Sequence, residues 1–292
     1  MEAAYYEKQA DNACLCRLCP HHCLIPDGRR GRCLTRKNEQ GRLQALSYGR
    51  IASLALDPIE KKPLACFHPG SRILSLGSWG CNMACRFCQN WEIASREAPA
   101  ESFSPQQVLA LALSLKKEGN IGVAYTYNEP STWYEFIRDT APLIRKAGMV
   151  NVMVTNGFIE EAPLKSLLPF IDAWNIDLKG WNGNFYRTIC GAEKEPVMKT
   201  ILLAARVAHV EITHLTISGE NDDPEDMDAL AAWLATIRKD IPLHITRFFP
   251  QHHMQNHPPT PIRTLIQLRE TARKHLSRVY IGNVSREELG EN

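Results

Sequence analysis

The feature that most constrains this chain is where its cysteines lie: of ten, eight fall in two short windows. The second window is Gly80-Cys81-Asn82-Met83-Ala84-Cys85-Arg86-Phe87-Cys88-Gln89-Asn90, which carries Cys81, Cys85 and Cys88 at C-x3-C-x2-C. That spacing brings three soft, polarisable sulfurs to one side of a tight loop and suits an iron–sulfur cluster. A four-iron cluster takes four ligands, so a loop of three leaves one iron open to another molecule, by the logic that separates catalytic from structural zinc sites. The competing readings are a zinc knuckle or three buried reduced thiols, and zinc sites more often present paired C-x2-C units.

The first window holds Cys14, Cys16, Cys19, Cys23 and Cys33. Pro26, Gly28 and Gly31 make it rich in turns and too poor in apolar residues to build a core, so a metal would supply its folding energy. Cys16, Cys19, Cys23 and Cys33 are the best four ligands, with Cys14 spare and His21 and His22 as substitutes. Spacing does not separate zinc from an auxiliary iron–sulfur cluster. Ten cysteines in a chain with no amino-terminal apolar leader read as metal ligands rather than disulfides, and the expected compartment is the cytoplasm.

Lys and Arg number 34 against 32 Asp and Glu, a formal charge of +2. Neither nucleic acid nor a membrane surface is implied by so balanced a chain, and no apolar run approaches membrane-spanning length. Its 292 residues allow one large α/β domain with a small appendage. The expected division is a cysteine-rich segment and connector over 1–70, a barrel over 71–284 and a short tail over 285–292.

In the connector, alternating apolar residues from Leu43 suggest one or two short strands. The run Asp57-Pro-Ile-Glu-Lys-Lys-Pro follows, in which Lys61 and Lys62 face either an anionic group at the mouth of a site or simply solvent. From Arg72 onward, short apolar runs alternate with amphipathic stretches, the signature of βα units around a parallel sheet. Strands are expected at 73–76, 121–125, 150–154, 173–177, 210–216 and 243–246, and helices at 105–118, 132–147, 161–168, 196–208, 224–239 and 260–275. Six such units predict an α/β fold, a partial (β/α)6 TIM-like barrel. In barrels the chemistry sits at the carboxyl ends of the strands. The polar motifs fall there: the cysteine loop, Thr126-Tyr-Asn-Glu129, Thr155-Asn156-Gly157, Asp177-Leu-Lys179, Ser218-Gly-Glu-Asn-Asp222 and His244 to Arg247.

Cys81, Cys85 and Cys88 with Phe87 resemble the signature of radical S-adenosylmethionine (SAM) enzymes. The resemblance implies a [4Fe-4S] cluster whose open iron chelates SAM, reductive cleavage to methionine and a 5′-deoxyadenosyl radical, hydrogen abstraction from a substrate, and a flavodoxin- or ferredoxin-like electron donor. It also implies that Phe87 stacks on the adenine and that Glu129 accepts from the SAM ammonium. By the same resemblance Asn156 and, after the sixth strand, His244 are expected to contact SAM, and Lys179 has the charge to meet its carboxylate. Asp177 matches one carboxylate of a cation site in pyruvate formate-lyase activase, whereas Val154 replaces the other. Tyr127 and Asn128 stand where glycyl-radical-enzyme activases have two glycines. The bland alternatives are a helix-start carboxylate for Glu129, a turn at Asn156, an Asp177–Lys179 ion pair and a rim salt bridge for Arg247.

Across nearly the whole chain, Cys-x2-Cys-Pro-His-x-Cys, Asp57-Pro-Ile-Glu-Lys-Lys-Pro, Gly-Cys-Asn-x3-Cys-x-Phe-Cys-Gln-Asn-Trp, Thr-Tyr-Asn-Glu-Pro, Val-Thr-Asn-Gly, Asp-Leu-Lys and Tyr-Ile-Gly-Asn-Val resemble the radical SAM member of the AmmeMemoRadiSam system, itself similar to pyruvate formate-lyase activating enzyme. Three functions follow as expectations: activation of a glycyl radical enzyme, radical modification of a small molecule or partner protein within a three-gene system, or a metal-binding scaffold without turnover.

Overall fold

In the computed structural model, which describes residues 1–285 and 287–290, eight strands form one sheet. They are β1 (Ser53–Pro58), β2 (Arg72–Gly77), β3 (Asn120–Tyr125), β4 (Val150–Thr155), β5 (Ala173–Asp177), β6 (His209–Thr216), β7 (Leu243–Arg247) and β8 (Val279–Gly282). Each pairs with its neighbours in chain order. β2 to β8 run parallel, and β1 runs antiparallel against β2, with Ser53 opposite Gly77 and Pro58 opposite Arg72. The six expected strands are β2 to β7. β8 is additional to those six, and β1 comes from the connector within residues 1–70. Of the tail expected at 285–292, Arg286, Glu291 and Asn292 lie outside the described residues.

Helices α1 (Pro105–Ser114), α2 (Tyr134–Lys146), α3 (Glu161–Leu167), α4 (Lys194–Ala204), α5 (Pro224–Ile237) and α6 (Ile262–Arg273) connect the parallel strands. Their starts are written locally. Ser104 and Gln107 form a reciprocal capping box ahead of α1, and the Asp223 side chain accepts from Glu225 N at 2.8 Å before Pro224 opens α5. α2 buries Phe136, Ile137, Thr140, Ala141 and Ile144 on one stripe, the 3.6-residue spacing that seats a helix on a sheet. Among the described residues no helix is long and apolar enough to cross a membrane.

The inner face of the sheet is built from alternate residues. On that face Ile73, Ala124, Val152 and Ala173 form a fully buried cluster with Ile59 and Leu64. The last two belong to the segment after β1, which therefore closes the amino-terminal end of the partial barrel. Glu211 fixes that segment by accepting from Ala65 N at 3.0 Å and Cys66 N at 2.8 Å, and Asn175 donates to Pro63 O at 2.8 Å. The cysteine-rich amino-terminal segment packs into the main core through Cys14, Cys16, Leu18, Ile25 and Leu43.

Candidate active site

The loop that carries Cys81, Cys85 and Cys88 leaves β2 at Gly77 and is held on every side. Behind it, the Asn128 amide accepts from Ser78 N at 2.9 Å and donates to the carbonyls of Trp79 and Gly80, each at 3.0 Å. Gly80 has φ of 83°, and a Cβ there would stand 2.4 Å from Cys33 O, so only glycine lets the amino-terminal segment approach so closely. On the far side a single π-helical turn, Tyr186–Cys190, lends two carbonyls. Ala84 N donates to Cys190 O at 2.8 Å and Arg86 N to Ile189 O at 3.0 Å. The Asn82 amide reaches Phe158 O at 2.6 Å, and His253 N donates to Arg86 O at 2.9 Å.

The three thiols open onto a cavity of about 370 Å³ whose wall includes Phe87, Glu129, Asn156, Asp177 and Lys179. Their surroundings differ. Cys81 is pressed up by burial and by the Glu129 charge, yet its sulfur receives Met83 N at 3.4 Å and the Asn156 amide at 3.6 Å. The Cys85 thiol is drawn below the ordinary range by a hydrogen bond from Cys190 and by the nearby Lys179 ammonium. Burial pushes Cys88 up to about 11. Amide hydrogen bonds and a fixed ammonium are what a sulfur bearing negative charge requires, so this donor set fits thiolate ligation of an iron–sulfur cluster.

Lys179 Nζ lies 2.7 Å from Asp177 Oδ2 and 5.7 Å from the Phe87 ring centroid. Burial works against its charge, but Asp177 and the sulfurs of Cys85 and Cys190 hold it well above an ordinary lysine. Glu129 is buried, which raises its carboxyl. It receives Thr155 Oγ1 at 2.6 Å, Asn156 N at 2.8 Å and Ser131 N at 2.9 Å, so it also fixes the turn that aims Asn156 at Cys81. Phe87, Glu129, Asn156, Asp177 and Lys179 are thus brought together with the cysteines.

His244 is not among the residues lining this cavity. It sits one residue into β7, and its ring stacks on Tyr280 at 5.3 Å. Its Nε2 is 2.6 Å from Glu211 Oε2, in the layer that fixes the closing segment. The inward-facing residue that reaches the cavity from β7 is Thr246, two places further on. Arg247 makes the rim contact weighed from sequence, 3.1 Å to Glu288, with Nε donating to Thr260 O at 2.9 Å.

Cys16, Cys19, Cys23 and Cys33 share one corner. Burial first, and then the neighbouring thiols, push Cys19 up to about 12. Among the described residues no three Cys, His, Asp or Glu side chains converge as the ligands of a single metal ion. A more open cleft, about 710 Å³, lies near the amino ends of β5 and β6 between Arg145, Arg206 and Arg238, and no cysteine lines it.

Sequence reasoning missed four participants. Cys190 is distant in sequence, and no spacing ties it to the loop. Asn128 and Tyr127 stand out in the sequence only as departures from two glycines. Asp57 belongs to a sequence motif, but its partners, the buried Lys62 at 2.8 Å and the half-buried Tyr127, whose hydroxyl donates to it at 2.7 Å, appear only in three dimensions.

A model of the radical SAM superfamily matches residues 78–233. An uncharacterized protein of Methanocaldococcus jannaschii is 43% identical over 297 residues, covering 100% of this chain and 87% of its own. Pyruvate formate-lyase 1-activating enzyme of Escherichia coli is 25% identical over 169 residues, 56% of this chain and 68% of that one. Among solved structures, Streptococcus suis SuiB bound to S-adenosylmethionine superposes with a TM-score of 0.59 at 13% identity. That match covers 75% of this chain and 53% of SuiB, so this chain spans about half of SuiB's length, and the likeness is one of fold.

Proposed function

This chain belongs to the radical SAM superfamily, and from that premise we propose that Cys81, Cys85 and Cys88 hold a [4Fe-4S] cluster at which SAM is cleaved to act on a substrate in the chamber below. When bound, the cluster supplies the electron and SAM the fragment that removes hydrogen. The chain's own residues position and shield. Asn156 and Met83 N hold the Cys81 sulfur, and Lys179 offers its ammonium to a carboxylate beside Phe87, a wall residue whose ring stacks on Phe185 at 6.1 Å and lends the cavity an aromatic surface for an adenine. Glu129 presents a carboxylate to an ammonium while bracing the Asn156 turn. Thr246, rather than His244, is the β7 residue facing the bound molecule.

The observation that carries this reading is the convergence of three thiols, two amide donors and the Lys179 ammonium on one cavity. The test is anaerobic reconstitution with iron and sulfide, then SAM and dithionite. The wild type is expected to form 5′-deoxyadenosine and Cys88→Ala none; equal yields from the two would overturn the proposal.

For the substrate, the likeness to a pyruvate formate-lyase activating enzyme supports activation of a glycyl radical enzyme. A second reading, a small molecule or partner protein of the AmmeMemoRadiSam system, draws support from the floor of the chamber, which Lys62 and Pro63 line. An electron donor of flavodoxin or ferredoxin type is part of either. A second metal at Cys16, Cys19, Cys23 and Cys33 is a separate proposal, and metal and sulfide analysis of wild type against Cys19→Ala and Cys23→Ala decides it. Unchanged iron, sulfide and zinc would remove it. SAM bound without deoxyadenosine formed would leave the scaffold reading.

A further inference from the structure

We propose that the floor of the chamber is a subsite for an anionic group of the substrate, a carboxylate or phosphate, received by the Lys62 ammonium. The proposal rests on the radical SAM reading of the chamber and adds a substrate class to it.

Lys62 lines the same cavity as the cysteines, and only 3% of its side chain is exposed. Its Nζ lies 2.8 Å from Asp57 Oδ2 and 4.6 Å from the centroid of the Tyr127 ring. An ammonium has three donors; Asp57 takes one, the ring face another, and the third is left for the cavity. Asp57 itself is fully engaged, because it also receives the Tyr127 hydroxyl at 2.7 Å and Lys61 at 3.4 Å. Lys61 is 68% exposed, so Lys62, at 3%, is the buried ammonium of the floor. Lys179, beside Asp177, and Glu129 belong to the SAM end of the wall in the reading above, which leaves the floor to Lys62.

Anchoring the closing segment does not explain the lysine. Ile59 and Leu64 on either side of it are fully buried in the apolar cluster and hold the segment there. A buried ion pair adds little net stability over well-packed apolar residues, so an ammonium kept at the bottom of a reaction chamber points to a ligand. Tyr127 relates this floor to the reacting end. Its carbonyl accepts from the Asn90 amide at 2.7 Å, two residues beyond Cys88, while its hydroxyl reaches Asp57. A substrate anchored at Lys62 therefore lies along the Tyr127 ring with its other end toward the cysteine loop. A backbone glycine offers no such anion, so the subsite favours a small acid, or an acidic group near the reacting carbon, over activation of a glycyl radical enzyme.

The test uses the reconstituted holoenzyme at fixed ionic strength, with inorganic phosphate and acetate as separate calorimetric probes. Lys62→Arg retains the charge and Lys62→Met removes it. Asp57→Asn with Lys62→Met removes both charges, so no carboxylate is left stranded, and circular dichroism and iron content establish that each variant is folded. One anion is expected to bind the wild type and the arginine variant, and to bind both methionine variants at least about tenfold more weakly, the size of a charge-assisted hydrogen bond. Which anion binds tells carboxylate from phosphate. Equal affinity across the series, or no binding of either probe to the wild type, overturns the subsite. Deoxyadenosine formation by the wild type, measured on the same preparation, reports separately on the radical SAM reading.

Discussion

Arg36 Nη2 and Glu135 Oε1 stand 2.9 Å apart with each side chain only 1% exposed. The pair joins the cysteine-rich segment to α2, and Glu135 also accepts from Ala4 N at 2.8 Å. Removing one partner strands the other charge in a dry interior. Glu135→Ala is expected to lower the unfolding free energy by about 3–5 kcal/mol, whereas Arg36→Met with Glu135→Leu recovers most of that loss. Urea midpoints of the two variants check this, and a double variant no better than the single one would contradict it.

Gly80 and Asn128 act on the shape of the cysteine loop rather than on its sulfurs. Gly80→Ala forces a Cβ against Cys33 O and Thr35 Cγ2 at a positive φ, and Asn128→Ala removes the partner of Ser78 N and of two loop carbonyls. Each is expected to cost about 1–3 kcal/mol. Each should also lower the iron and sulfide bound per chain after reconstitution, with far-ultraviolet circular dichroism unchanged. Full cluster content in both would refute the bracing role.

The Asp57 carboxyl is held well below the usual range: burial opposes its charge, but hydrogen bonds from Lys62 and Tyr127 outweigh burial. Burial acts on Lys62 in the other sense and draws it below an ordinary lysine. A carboxyl depressed on folding contributes stability at pH above its unfolded value, about 3.9, and that stability is lost as pH falls through the folded value. Asp57→Asn is therefore expected to be less stable than wild type at pH 7, with the gap narrowing below about pH 4. Denaturation at pH 7, 5 and 3 measures the gap; a constant difference would exclude the linkage.

His244 and Lys179 separate cleanly. His244→Ala removes one of the partners of buried Glu211 and is expected to cost about 1–3 kcal/mol of stability with SAM affinity unchanged. Lys179→Met is expected to weaken SAM binding about tenfold. Equilibrium binding of SAM to both reconstituted variants checks the pair, and the reverse ranking would restore His244 to the cofactor site.

The barrel strands were legible because buried parallel strands are short apolar runs between amphipathic helices, and β2 to β7 lie within about two residues of where the pattern puts them. The cavity residues Phe87, Glu129, Asn156, Asp177 and Lys179 were legible for a related reason, since each lies at or beyond the carboxyl end of a strand. His244 lies in the sixth of those motifs, but two residues of strand separate one inward layer from the next, and the cavity is lined by Thr246. Cys190 was invisible: the π-helical turn that presents it to Cys85 depends on packing against the loop rather than on local pattern. Lys61 and Lys62 are neighbours with the same charge. Only folding leaves one 68% exposed and the other 3%.

The segment closing the barrel has a further consequence. Because the chamber floor is a loop held from beneath by Glu211, and not a layer of strand residues, the depth available to a substrate depends on the run between Ile59 and Ala65. Exchange of that run would retune which molecules fit while the cysteine loop, and with it electron delivery, stays as it is.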